Sequence, residues 1–387
     1  MKKVFVAVGF CIGILNSAAS YAAEWTLNVT GTPTFGYDDN VSLSEDEEGS
    51  FMLKVSPTLV LGRAVENMSS SIQLGYSIER YSSISRLDSE NPFVRFGTTY
   101  SLERAQFGLN ASYVENNARN EAEEDTGDFS TDASSRTRSI SPSISYQLTE
   151  KDSLQGSYNY SEKQYSSTDF EDNDTKSVTV GWTRQFTERF TGGLNTTASN
   201  YQTDGLTFST DDDNYNVSTS LSYQLTEAWL VNANVGFRRL NTERKAITGM
   251  ITKESNTGST FDVSTTYDKE LDSVFVSYSK ALSPSSSGMV NEQESVKLNW
   301  SHKLSEVLTA SLATSYRETR TASEQADGEK RENINLSSSL RWQVDSKLGV
   351  NVGYHFRQQK NDNEKDVDSN AISVSVSYDW DGFRVSR

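Results

Sequence analysis

The chain has very little of what most enzymes and helical membrane proteins are built from. A single cysteine, Cys11, and two histidines occur in 387 residues. Cys11 sits in the apolar run from Val4 to Leu15, after Met1-Lys2-Lys3 and before the small-residue stretch from Asn16 to Ala23. A basic start, an apolar run and small residues in that order read as a secretory signal peptide, residues 1–23, cut after Ala22 or Ala23. Phe10 stands before Cys11, where a lipid-attached cysteine would have a small residue. The remaining chain, residues 24–387, therefore has no thiol, disulfide or Cys-based metal site. Nowhere after the signal does an apolar run approach the roughly 18 residues of a membrane helix, which excludes a helical membrane protein. Basic residues are also scarce, 36 Lys and Arg against 53 Asp and Glu for a net charge of −17. That balance argues against nucleic acid as a partner.

Catalytic constellations are missing too. His302 lies in a short turn and His355 on a later strand, with no nucleophile, base or metal-ligand spacing between them, so no catalytic, cofactor or metal residue is assigned and the chain reads as a non-enzyme. Asp172-Asn173-Asp174 opens like a calcium-binding loop but lacks its turn glycine and terminal Glu.

What the chain does have is a recurring phrase: Tyr146-Gln147-Leu148-Thr149-Glu150, Arg184-Gln185-Phe186-Thr187-Glu188, Tyr223-Gln224-Leu225-Thr226-Glu227 and His302-Lys303-Leu304-Ser305-Glu306. Looser copies stand at 100–103, 267–271 and 342–345. Between copies, apolar and polar residues alternate strictly. Leu348, Val350, Val352, Tyr354 and Phe356 take one parity, with Lys347, Gly349, Asn351, Gly353 and His355 on the other. Such segments are strands with one apolar face. Tyr100, Tyr146, Trp182, Tyr223, Tyr267, Trp300, Trp342 and Trp380 mark the ends near the short turns. Tyr37, Tyr81, Tyr113, Tyr201, Phe237, Tyr278, Tyr316 and Phe356 mark the other ends. Two aromatic rows match the interfacial girdles of a transmembrane barrel.

Eight short turns and nine longer connections predict eighteen strands in a closed, all-β, antiparallel outer-membrane barrel, a single domain over residues 24–387. Sixteen is the alternative if a hairpin at 83–91 or 281–291 is merged. The short turns would be periplasmic. The longer connections, among them 116–136, 202–214 and 241–257, would be extracellular and carry the acid: 45–48, 121–128, 169–174, 211–213 and 362–368. The polar parity is mostly Ser, Thr, Asn, Gln and Gly, with Lys54, Arg238, Lys297, Arg341 and Arg357 as candidate lumen-lining cations. Such a wall suits water or sugar hydroxyls more than selection of one ion sign. No plug is expected, because the first strand begins near Trp25.

Phe35-Gly36-Tyr37-Asp38-Asp39-Asn40-Val41-Ser42-Leu43, followed by Val55-Ser56-Pro57-Thr58-Leu59 and Leu74-Gly75-Tyr76-Ser77-Ile78-Glu79-Arg80-Tyr81, resembles the opening of a family of outer-membrane β-barrels associated with exopolysaccharide and exosortase-type systems. The chain's end, Trp380 to Arg387, departs from such barrels in lacking a terminal aromatic residue. The resemblance implies a conduit or accessory for exopolysaccharide export across the outer membrane of a Gram-negative bacterium. Alternatives are a general diffusion porin and a structural or adhesive barrel with no open pore. Expected partners are outer-membrane lipid and lipopolysaccharide, exopolysaccharide with periplasmic export components, and the barrel-assembly machinery during biogenesis.

Overall fold

A computed structural model describes residues 23–125, 127–322, 330–362 and 365–386; the segment expected to be a signal peptide, residues 1–23, lies outside the described residues except for Ala23. Strand segments follow one another along the chain. The first half holds β1 (Glu24–Gly31), β2 (Pro33–Asp38), β3 (Ser50–Val55), β4 (Thr58–Val65), β5 (Met68–Tyr81), β6 (Ser89–Ser101), β7 (Ala105–Asn117), β8 (Ser134–Gln147), β9 (Asp152–Tyr165) and β10 (Asp172–Thr187). The second half holds β11 (Phe190–Asp204), β12 (Phe208–Thr226), β13 (Trp229–Ala246), β14 (Ile251–Asp268), β15 (Asp272–Pro284), β16 (Val290–Lys303), β17 (Leu308–Thr321), β18 (Arg331–Gln343), β19 (Leu348–Asn361) and β20 (Val367–Ser386).

These segments make an eighteen-stranded barrel, because β1 with β2, and β3 with β4, are each one strand interrupted. Register runs on unbroken from Thr30 opposite Thr58 to Pro33 opposite Val55. Pro33 and Pro57 stand at the interruptions, where a residue without an N–H leaves the ladder unfilled. Every other neighbour in sequence pairs antiparallel with the next. The sheet then closes on itself, with β20 pairing β19 on one side and β1 and β2 on the other. Both hairpins that could have merged are present, across residues 82–88 and 285–289.

The recurring phrase is the short turn itself. In its copy at 148–152, the Leu148 N–H reaches the Asp152 carbonyl (2.9 Å), and the Thr149 hydroxyl accepts the N–H groups of Lys151 (3.2 Å) and Asp152 (3.0 Å). Asp345 replaces the hydroxyl at 344–348, accepting from Lys347 (2.7 Å) and Leu348 (2.9 Å). A short polar side chain that caps N–H groups two and three residues on is what closes such a turn. The anchor apolar residues Leu102, Leu148, Phe186, Leu225, Leu271, Leu304 and Val344 are all exposed. They extend the outward apolar face rather than filling a core.

That outward face carries Val178, Val180, Leu194, Val217, Val235, Leu340, Val352 and Val374, all exposed, with Tyr146, Tyr223, Trp229, Trp300, Trp342 and Trp380 at the short-turn end. At the other end two members of the predicted aromatic row turn inward instead. Tyr81 lies under the Arg119 guanidinium, 4.8 Å from its ring centroid, and Tyr201 packs against Leu240 and Val290. Parity puts both on the interior side.

Two expected long connections are strands. Residues 202–214 belong to β11 and β12 with only Gly205–Thr207 between, and 241–257 to β13 and β14 with a tip at Ile247–Gly249 and Met250. Their polar side chains keep pairing across strands: Asn200 donates to Asp211 and Asp213, Thr242 to Asp212, and Lys253 pairs with Glu243. Cross-strand pairs of this kind hold a sheet together above the membrane, where water can solvate both faces. β14 and β15 part company early, their ladder ending at Phe261 opposite Lys280, while β13 and β14 run together as far as Lys245 opposite Ile251. The free upper part of β12–β14 laps over the tip of the β15–β16 hairpin. Leu240 there packs with Val290 and Ala322, and Arg238 pairs with Glu292 at 2.6 Å.

Asp212 is buried under this flap, and burial foremost, with Asp211, Asp213 and Glu254 nearby, pushes its carboxyl up to about 6 from 3.8. Counted from Thr226, it stands beyond the roughly 9–11 residues of a membrane strand. A raised folded value favours the protonated carboxyl, so the stabilisation is full at low pH and is lost as pH rises through about 6, at a cost of roughly 3 kcal/mol. Amide protection factors in β12–β14 above Asp213, corrected for the intrinsic pH dependence of exchange, are expected to be larger at pH 5 than at pH 7.5, and Asp212→Asn to abolish the difference.

Candidate functional site

The side of the wall that receives the connection after β7 is the interior. The described residues of this connection, 118–125 and 127–133, begin with a short 3-10 turn, Ala118–Glu121, capped by the Asn117 side chain, which accepts the Arg119 N–H at 3.0 Å. From there the chain crosses the mouth instead of rising from it.

On the near side, Arg119 donates to Glu79 (3.2 Å) and to the Tyr81 hydroxyl (3.0 Å), and Lys163 pairs with Glu121 (2.6 Å). On the far side, about half-way round the barrel, Arg317 pairs with Glu124 (2.8 Å) and Glu123 (3.5 Å), and Arg331 and Gln293 donate to the carbonyls of Asp125 and Glu124. Gln359 donates to the Gly127 carbonyl at 3.2 Å. Gly127 has φ +79°, and a side chain there would meet the Arg331 stem at 2.6 Å. Glycine is needed at that point for both reasons.

A second connection, 285–289, leans inward to meet the first. Asp125 joins them: its Oδ1 accepts from the Ser285 hydroxyl and the Ser286 N–H, each at 2.8 Å, and its Oδ2 from the Tyr165 hydroxyl at 2.8 Å. Two small apolar clusters pack the segment against its neighbours, Leu43 with Ala122 and Phe129, and Ala118 with Ala133 and Phe170. Leu43 holds φ 45°, a costly conformation for a branched residue that its packing under Ala122 and Phe129 maintains.

The Asp38-Asp39-Asn40 run frames this docking site. Asp38 accepts from Arg357 (2.8 Å) and Ser369 (2.6 Å), and Asp39 from both the backbone and side-chain amides of Asn370 (2.6 and 3.0 Å). Asn40 is buried and bonds Ser44 and the Asp368 carbonyl. Turn chemistry alone underrates this segment, because Arg357, Asp368, Ser369 and Asn370 reach it from more than three hundred residues away.

The five cations singled out by parity occupy different surroundings. Lys54 pairs with Glu79 beside the crossing segment, and Arg357 stands at its far anchor with its guanidinium 5.5 Å from the Phe129 ring centroid. Arg238 takes the interior parity of β13, but its side chain is 3% exposed, covered by the lapped hairpin and Glu292. Lys297 is exposed on the interior parity of β16, and Arg341, also exposed, reaches Gln343 near a short turn. The site therefore brings together Lys54 and Arg357 and leaves the other three apart. Parity also carries Arg95, Lys163, Arg317 and Arg331, which the sequence reading passed over. Phe93 lies on the interior wall over Gly75, with Arg95 4.6 Å from its ring centroid. Arg119 had no strand pattern to reveal it.

Below the crossing segment, hydroxyl and amide pairs line the interior. Ser112 meets Ser139 (2.8 Å), Ser141 meets Asn159 (2.6 Å), Thr179 meets Thr197 (3.0 Å) and Ser279 meets Ser295 (2.8 Å). No group of three or more metal-ligating side chains occurs among the described residues.

An apolar exterior with an aromatic rim, a polar interior, short turns at one end and an inward segment at the other define a barrel of the Gram-negative outer-membrane type. Among solved structures, the ferric citrate transporter FecA in its unliganded form is similar, with a TM-score of 0.53 at 10% identity over 88% of this chain and 60% of the transporter. Pseudomonas aeruginosa OccK2 (OpdF) is similar with a TM-score of 0.50 at 12% identity over 92% of this chain and 98% of the other. Identities this low speak for the fold alone. No family model and no curated protein sequence matches the chain.

Replacing Asp125 with Ala would leave three donors without their shared acceptor, a cost of roughly 1–3 kcal/mol for each one kept from water. Whole cells carrying Asp125→Ala are expected to show protease cleavage within 118–133 at least several-fold faster than wild type. Equal rates would mean that Asp125 does not hold the segment down.

Proposed function

We propose that this protein is an outer-membrane channel that passes small hydrophilic solutes through a constriction made by residues 118–133. The observation that carries the reading is the segment's anchorage to both walls through Arg119, Arg317, Arg331 and Asp125. A strand connection that only needed solvating has no reason to carry matched ions on the far wall. The hydroxyl and amide interior supports water and polar solutes below it, with Lys54, Arg357, Lys297 and Arg341 as lumen-facing cations. On this reading residues 1–23 are a Sec-type signal removed after Ala22 or Ala23, and the barrel is inserted by the assembly machinery among outer-membrane lipid and lipopolysaccharide.

Exopolysaccharide export is a second reading. Its support is the resemblance over residues 35–81 together with the sugar-compatible interior. The anchored segment weighs against it, because a polymer would have to displace several ion pairs at once. A sealed structural barrel is the third possibility.

Two measurements separate these. In planar bilayers the wild type should conduct in small steady steps, and deletion of 119–132 should raise the step at least about twofold. No conductance in either form would leave the sealed barrel. Deleting the gene should leave secreted polysaccharide unchanged, and a loss of secretion would promote export instead.

A further inference from the structure

We propose that the cavity beneath the crossing segment is a binding subsite for a small hydroxylated carboxylate, seated between the guanidinium groups of Arg119 and Arg357. The inference rests on the channel reading and names its solute class. The cavity measures about 400 Å³, at the lower end of the range of small-molecule sites.

Its two arginines have donors left over. Arg119 is 5% exposed. Its Nη2 serves Glu79 and Tyr81, while its Nη1 is buried with no hydrogen-bond partner. Arg357 gives Nη2 to Asp38 and Ser369, and its Nε is likewise buried and unpartnered. A buried cationic donor without an acceptor is costly and rare, and two that border one cavity call for a shared acceptor.

The carboxylates of the cavity do not supply it. Asp38 is taken by Arg357 and Ser369, and Glu123 faces Arg317 at 3.5 Å. An incoming carboxylate has two oxygens in a plane, which suits guanidinium forks better than a spherical ion does. The rest of the lining chooses the rest of the molecule. Asn120, Ser315, Asn335 and His355 offer hydroxyl, amide and imidazole groups. The faces of Tyr81 and Phe129 already lie against the two guanidiniums, at 4.8 and 5.5 Å from the ring centroids. Val41 is the one aliphatic side chain of the lining, and a hydroxylated acid finds polar partners around most of the rest. Both atoms are buried, so a ligand reaches them only when the two guanidiniums turn toward the cavity.

Titration calorimetry on the full chain in detergent tests this, with gluconate, glucose and inorganic phosphate as probes. Gluconate is expected to bind saturably, glucose not measurably, and phosphate at least about tenfold more weakly. Arg357→Gln should weaken gluconate at least about tenfold, as loss of one charge-assisted contact does. The paired variant Arg119→Gln/Glu79→Gln, which leaves no unmatched carboxylate, should do the same, with retained barrel circular dichroism showing that both variants fold. Indistinguishable gluconate and glucose isotherms, preference for phosphate, or gluconate binding unmoved by both variants would overturn the proposal. Because the readout is binding, a chain that binds gluconate yet passes no current supports this site while removing the channel reading.

Discussion

A peptide group in hydrocarbon has no water to fall back on, and each one left unpaired costs several kcal/mol. That single requirement organises the protein. It forces the ladder to close between β20 and β1–β2, places Pro33, Pro57 and Pro142 at gaps in the ladder, and suits short turns whose N–H groups are capped by side chains such as Thr149 and Asp345. Once the backbone is satisfied within the sheet, side chains are free to divide by parity. Apolar groups go to the lipid side without needing a core, and hydroxyls and amides take the interior.

Above the membrane the constraint relaxes, and the chain uses the freedom in two ways. β12–β14 continue as a sheet, held by cross-strand polar pairs, and lap over the neighbouring hairpin where the β14–β15 ladder stops. Residues 118–133 do the opposite and enter the barrel. Arg317 and Lys163 pair with Glu123, Glu124 and Glu121 of an acidic stretch that composition alone presents as solvated loop, Arg331 donates to its backbone, and Arg119 and Arg357 pair with Glu79 and Asp38 beside it. Buried ion pairs are poor sources of net stability, since desolvation offsets the attraction. Their value here is positional, because each pair has one partner on the crossing segment or its docking site and the other on a fixed strand.

Strand number and closure were legible because they rest on local signals: period-two alternation, capped turns and aromatic residues one strand-length apart. Lys54 and Arg357 were legible through the same parity. Arg238 shows where parity stops helping, since it points inward on β13 yet is covered by Glu292 from a strand that only the early end of the β14–β15 ladder brings near. The crossing segment was not legible. Asp125 finds Ser285, Ser286 and Tyr165 through contacts of up to 161 residues in separation, and an acidic run such as 121–128 carries no local mark of direction. The same holds for Asp38 and Asn40, whose short-range reading as a turn is sound and whose main partners come from the opposite end of the chain.

The central claim is that residues 118–133 lie across the mouth against β16–β18. With its only cysteine at position 11, the chain suits a direct test by engineered pairing of residues 124 and 293, where the Gln293 amide meets the Glu124 carbonyl. In Glu124→Cys/Gln293→Cys chains assembled in cells, the account predicts that a short bis-maleimide bridges the two thiols in most of the folded protein. A folded, membrane-inserted barrel in which the two thiols stay free, while both react readily with a water-soluble maleimide, would contradict it.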